Sequence, residues 1–434
     1  MVAIFFIFLY GVLGFFYYKL LRPYNIGFSI KNKNFAGLIV FKEFFALIGL
    51  SSIFLSLYPI YFFNGFDNTL QESVVYISFW VWASLFFYTI SLFVGTNITY
   101  RLFYRNTGNA RSLRSLLFIS IFLAVILYLY LVFFYGVRHA FFDAIFRGES
   151  LLNIRLDNKY ATSIPSFMLS IFNIFIYFSI IIFSFSKIEK RSVMYFCALI
   201  LLYLLTYDGG KAHLFNGIIL YILIKLSQRS YIKLNFSLIF KFLLIIVFLV
   251  FLVIYIVRVQ YPDFNDEQLT KYFINRLGVG QMGGTYEQFN LNLYDPQYVY
   301  HSIPFASLLL DYPVFQKDLM LVSEGILDPT RTGIKNSLFI SEASAFGWFY
   351  LILSPFIVGF NTAISIALIA LFLSKFYLGD RVLSFKISTF LFLCMNTLTG
   401  GFSEYIFFKS AILIIISISI IIFSTKVFNT LIRK

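Results

Sequence analysis

Charge is scarce in this sequence. Only 12% of its 434 residues are Asp, Glu, Lys or Arg, while 60% are hydrophobic and 21% aromatic. Water-soluble domains carry roughly twice that share of charge, so a soluble globule is excluded. Cysteine is nearly absent too. Cys197 and Cys394 both sit inside apolar runs, which supports neither a disulfide framework nor a thiolate metal site. The alternating segments of about ten residues that mark an outer-membrane barrel are missing, and so is the internal repeat that many transporters show. No small-residue cleavage site follows the first apolar run, 1–18. That run is therefore expected to stay as a membrane helix and to serve as the insertion signal.

What the sequence has is apolar runs of about 20 residues, the length a helix needs to cross a bilayer. They fall at 1–18, 44–63, 74–95, 116–135, 164–185, 193–207, 214–224, 234–257, 347–374, 382–398 and 405–423. The expected architecture is thus an all-α integral membrane protein of about 11 transmembrane helices, forming one polytopic domain over 1–434. Basic clusters alternate with the runs, at Lys19 to Lys33, Arg101 to Arg114, Lys187 to Arg191, Lys225 to Lys233 and Lys426 to Lys434. Basic residues collect in cytoplasmic loops, which places the N-terminus outside and the C-terminus inside. The net charge of +14 then reports topology, and no nucleic acid is called for. His139, His213 and His301 all fall on the outer side, as does the one long polar insertion, 258–347. Chemistry is expected at that face.

Several groups there suit it. Asp208-Gly-Gly-Lys-Ala-His213 joins two short spans. Its glycines permit a sharp turn and close approach, Lys211 and the amides that open the next helix offer an anion site, and Asp208 or His213 can act as a base. A plain helical-hairpin turn has the same composition. In the long insertion, Asn265-Asp-Glu-Gln268 has the pattern of a helix start, and Leu269, Tyr272, Phe273 and Leu277 follow at helical spacing. Arg276 on that helix and Arg258 before it can pair with lipid phosphates or clamp a pyrophosphate. Asp263, Asp266 and Glu267 read as helix N-terminal charge rather than as a divalent-metal site. Glu342 stands at the edge of the ninth span, and Glu404 and Lys409 flank the outer start of the last one. Such groups mark a function or an ion pair.

Three stretches resemble the bacterial O-antigen polymerases, the Wzy-type oligosaccharide repeat unit polymerases. Thr206-Tyr-Asp-Gly-Gly-Lys-Ala-His213 is similar to the short outer turn that in the wider group often reads Gly/Ser-Arg-Gly, with Lys211 in place of an arginine. Tyr272-Phe-Ile-Asn-Arg276 resembles the arginine-bearing helix early in the large loop. Asn336-Ser-Leu-Phe-Ile-Ser-Glu-Ala-Ser-Ala-Phe-Gly-Trp348 resembles the asparagine–acid–glycine approach to the following span.

The resemblance implies a GT-C-like polytopic glycosyltransferase in the bacterial inner membrane, with its large loop and its site in the periplasm. It would join undecaprenyl-pyrophosphate-linked oligosaccharides without metal or other cofactor. Membrane lipid, a chain-length regulator and a flippase of the same pathway are the implied partners. The cations for the leaving pyrophosphate would be Lys211, Arg258 and Arg276, with Arg331 and Lys409 in reserve. His213, His301, Asp208 and Glu342 are the candidate bases, and Glu404 and Asn336 the candidate sugar contacts. An O-antigen ligase shares this layout. A lipid-linked oligosaccharide flippase is the reading from a different class.

Overall fold

The computed structural model describes residues 68–104, 113–149, 151–158, 164–186, 188–209, 211–228, 265–269, 339–344, 347–395 and 402–432, with isolated helical positions in 8–15 and 244–258 and at 285. The expected spans 1–18, 44–63 and 234–257 lie largely outside these residues. Among the described residues there is no strand. The elements are α1 (Asn68–Tyr104), α2 (Leu113–Tyr135), α3 (Ala140–Phe146), α4 (Leu151–Leu156), α5 (Ser166–Phe185), α6 (Arg191–Leu205), α7 (Lys211–Gln228), α8 (Phe339–Ser344), α9 (Trp348–Leu373), α10 (Arg381–Met395), α11 (Phe402–Ile406) and α12 (Lys409–Ile432). Five segments are long and apolar enough to cross a membrane: Ile77–Arg101, Leu113–Tyr135, Phe167–Phe185, Trp348–Leu378 and Lys409–Leu431. The chain is therefore all-α with several membrane-spanning helices, in keeping with its composition.

Side-chain contacts fix the directions of the helices. Ser179 donates to Ser120 (2.8 Å) and Tyr128 stacks on Phe172, so α2 and α5 run antiparallel. At one end Arg114 pairs with Glu189 at 2.6 Å, Lys225 and Gln228 donate to the Ser184 carbonyl, and Tyr100 meets Phe385. The basic residues Arg101, Arg114, Arg191, Lys225 and Arg381 thus gather at one end of the bundle, the pattern that alternating spans with basic loops on one side must give.

The closest packing joins α1 to α9, and it is parallel. Phe87 meets Phe356, Ser91 donates to the Pro355 carbonyl, and Gly95 lies against Ala363. In lipid no hydrophobic force draws helices together, so small residues that let backbones approach supply the contact. Gly359 carries it, since a Cβ there would fall 2.7 Å from both the Leu92 nitrogen and the Tyr88 oxygen. After α9 a π-type turn (Ser374–Leu378) closes on Gly379 at φ 74°. Asp380 then caps α10 by accepting the Leu383 amide at 3.0 Å.

Gly359→Ala is expected to destabilise the protein by about 1–3 kcal/mol, as overpacking against backbone does, and to lower its thermal midpoint in detergent. Gly11→Ala, which has nothing within 4 Å, should leave the midpoint unchanged.

A candidate site recessed at the non-basic end

Two helices of the bundle are short. α6 has 15 residues and rises about 22 Å, less than a hydrocarbon core of about 30 Å. The turn that follows packs well inside the bundle, with Tyr207 against Phe172 (5.0 Å) and Tyr128 (6.3 Å). Tyr128 lies two turns short of the end of α2, so the turn stops about 10 Å below that end. Asp208–His213 was expected as an outermost turn; it is a sunken one.

A sunken turn exposes backbone polar groups that lipid cannot satisfy. A cover supplies partners for some of them. After α2 the chain forms α3 and α4, which fold back over the turn. The Ala140 amide donates to the Tyr207 carbonyl at 2.8 Å, and Gly209 donates to Thr206. Gly209 has φ 65°, a left-handed conformation that favours glycine. A Cβ there would meet Leu151 at 2.7 Å and Ala140 at 3.2 Å. Ion pairs hold the cover together: Arg138 bonds Asp143 (3.0 Å) and Glu149, and Arg147 reaches Asp143 at 3.5 Å. Asn158 closes the loop by exchanging two hydrogen bonds with the Arg138 backbone.

His139 belongs to this cover and not to a reactive centre. Its Nδ1 accepts the Phe142 amide at 3.1 Å, capping α3, which leaves the ring proton on Nε2 to donate to the Tyr203 carbonyl at 3.0 Å. Burial pushes its pKa below the usual histidine value, and nearby hydrogen bonds and Asp143 offset this only in part.

His213, in the first turn of α7, is placed differently. Its Nδ1 lies 3.0 Å from the Tyr177 hydroxyl on α5, and its Nε2 lies 3.7 Å from Asp208 Oδ2. The Asp208 and His213 side chains are 25% and 32% exposed, so a small molecule can reach both. Tyr177 is buried and also hydrogen-bonds Asn216. Sequence reading missed both residues. Asn216 follows His213 by three positions, the spacing that puts two side chains on one helix face, and that signal could have found it. Tyr177 sits unmarked in an apolar run.

An apolar groove of about 380 Å³ begins one turn away, between α5, α6 and α7, with Leu205 and Gly217 at its upper end and Met194 and Tyr195 below.

The other candidates divide into three groups. α11 lies deep in the bundle, because Asn361 donates to the Tyr405 carbonyl from three to four turns below Trp348, about 20 Å along α9. α8 packs on it through Phe339 and Tyr405. Glu342, Glu404 and the start of α12 at Lys409 therefore ride on elements inside the bundle and not at the outer edges of spans. Arg258 pairs with Asp266 at 2.8 Å, both well exposed, which occupies it as a surface ion pair. The start expected at Asn265 is present as a reciprocal capping box with Gln268. Arg276, His301, Arg331 and Asn336 lie outside the described residues, as do the side chains of Lys211, Glu342 and Glu404. Cys197 and Cys394 are free and buried. Among the described residues no three His, Cys, Asp or Glu side chains come together as metal ligands.

A histidine whose folded pKa is depressed contributes stability that is complete above about pH 6.5 and lost as pH falls through the folded value. The wild-type protein should lose thermal stability on acidification through that window. His139→Asn, which keeps a capping oxygen, should flatten the curve relative to wild type, and parallel curves for the two would remove His139 as the cause.

No family model, curated protein or solved structure matches this chain.

Proposed function

We propose that this protein polymerises undecaprenyl-pyrophosphate-linked oligosaccharide repeat units into O-antigen or a related surface polysaccharide, at the periplasmic face of a bacterial inner membrane. The observation that carries the reading is the pairing of a recessed, reachable Asp208–His213 turn with an apolar groove starting one turn away. A lipid-linked sugar has that same division: a polar reacting end joined to a chain that stays in the membrane. The resemblance of segments 206–213, 272–276 and 336–348 to the polymerases adds to it. The basic end of the bundle would face the cytoplasm.

In this reading a carboxylate at the turn takes the proton of the acceptor hydroxyl, whose oxygen attacks the anomeric carbon of the donor. The bond to pyrophosphate breaks, and its electron pair leaves with the undecaprenyl pyrophosphate. Lys211, at the N-terminus of α7, is the cation nearest in sequence to the base and joins the amides of the helix start as an anion site. Arg258 would have to leave Asp266 to take part. Arg276 remains a clamp candidate through the resemblance. Guanidinium and ammonium groups suffice to stabilise the leaving group, so a chelator should not stop the reaction.

The test is the lipopolysaccharide pattern of a strain lacking the gene. The deletion should leave cores bearing a single repeat unit, and the wild-type gene should restore the ladder of long chains. Asp208→Asn at equal protein level should not restore it. Ala198→Phe, which fills the groove, should shorten the ladder. Cores with no repeat unit at all would indicate a ligase, and an unchanged pattern in the deletion strain would overturn the reading.

A further inference from the structure

Four polar groups from two helices and the turn stand in a row in the outer half of the bundle: Asn216, Tyr177, His213 and Asp208. Tyr177 hydrogen-bonds Asn216 on one side and His213 Nδ1 at 3.0 Å on the other. His213 Nε2 faces Asp208 Oδ2 at 3.7 Å. Asn216 and His213 share a face of α7, so a single side chain from α5 spans both.

Proton counting orders the row. A phenol has one proton and two lone pairs, and an asparagine side chain offers an NH2 donor as well as a carbonyl acceptor. With the Asn216 amide donating to the Tyr177 oxygen, the phenol proton goes to His213 Nδ1. A neutral imidazole that accepts at Nδ1 carries its proton on Nε2, and that N–H points at Asp208. The separation of 3.7 Å is beyond a direct hydrogen bond. A small rotation of either partly exposed side chain, or one water, closes it.

We propose that Tyr177 and Asn216 are positioning residues that fix His213 as the Nε2–H tautomer, so that Asp208, and not His213, is the base of the site. Every donor in the row points toward the carboxylate, and the carboxylate is the acceptor at its open end. His213 then has no lone pair to offer a substrate. It holds Asp208 in place and stabilises its charge, in a partly buried network of the kind that depends on each member being satisfied. The tautomer follows from the Asn216 amide donating to Tyr177, while the role of Asp208 as base rests on the glycosyl-transfer reading above. Among the described residues, the other titratable groups that act on the row are Tyr207 on the turn, His139 in the cover, both toward Asp208, and Cys394 on α10, toward Tyr177.

The sequence has three histidines, so nitrogen-15 NMR of the full-length, histidine-labelled protein in nanodiscs above pH 7.5 can resolve them, with His213→Gln assigning the signal. His213 should be the Nε2–H tautomer in wild type. Tyr177→Phe should turn it into a tautomer mixture while His139 stays unchanged. In the chain-length assay Asp208→Asn should lose at least about 100-fold in polymer, the scale of a lost general base, and Tyr177→Phe should lose about tenfold, with its protein level unchanged.

A wild-type His213 carrying its proton on Nδ1 would overturn the proposal, even if Tyr177→Phe does not accumulate. So would a full ladder from Asp208→Asn beside none from His213→Gln. A deletion strain with unchanged polysaccharide would instead remove the polymerase reading and leave the tautomer result standing.

Discussion

The hydrogen bond from the Ala140 amide to the Tyr207 carbonyl, 2.8 Å long, stands for the constraint on which this half of the molecule depends. A helix pair that turns inside an apolar bundle leaves amides and carbonyls where water is not available to pair them. Something else must pair them. Here α3 and α4 do so, and the conformation of Gly209 and its contact with Leu151 and Ala140 let that cover sit directly on the turn. Without the cover, Asp208 and His213 would belong to an unsatisfied loop. With it they occupy a fixed position below the ends of α2 and α5.

The same arrangement recurs across the bundle. α10 is as short as α6, with 15 residues, and the next described helix, α11, is met by Asn361 in the middle of α9. The close approach of α1 and α9 at Gly359 supports that region, since Tyr88 on α1 touches Phe339 of α8, and Phe339 touches Tyr405. The polar residues of the Asp208–His213 turn and of α11 are set below the ends of the neighbouring helices, where lower dielectric strengthens the interactions they make.

Much of the architecture was legible because the signals were local. Five long apolar runs became helices, the Asn265 capping pattern became a capping box, and the stretch through Asp208 and Gly209 became a turn. Arg101, Arg114, Arg191 and Lys225, from three of the basic clusters, also fell at one end. Depth was not legible. Nothing in Asp208-Gly-Gly-Lys211 says that its flanking helices stop short, because that depends on α3 and α4 returning over it. His139 and His213 looked alike as outer histidines. Their neighbours separate them: one has both ring nitrogens committed to backbone, while the other sits between a tyrosine and a partly exposed carboxylate. Tyr177, one of 31 tyrosines, acquires a role only through a partner 36 positions away.

The central claim is that the Asp208–His213 turn is recessed and reached from the non-basic side of the bundle, the side proposed to face the periplasm. Cysteine accessibility tests it most directly, with Asp208→Cys placed in a chain lacking Cys197 and Cys394. In intact cells a small membrane-impermeant thiol reagent should label this cysteine, and a bulky impermeant maleimide should not. Equal labelling by both reagents would put the turn at the surface, and labelling only after the cytoplasmic side is opened would invert the topology; either result would contradict the account.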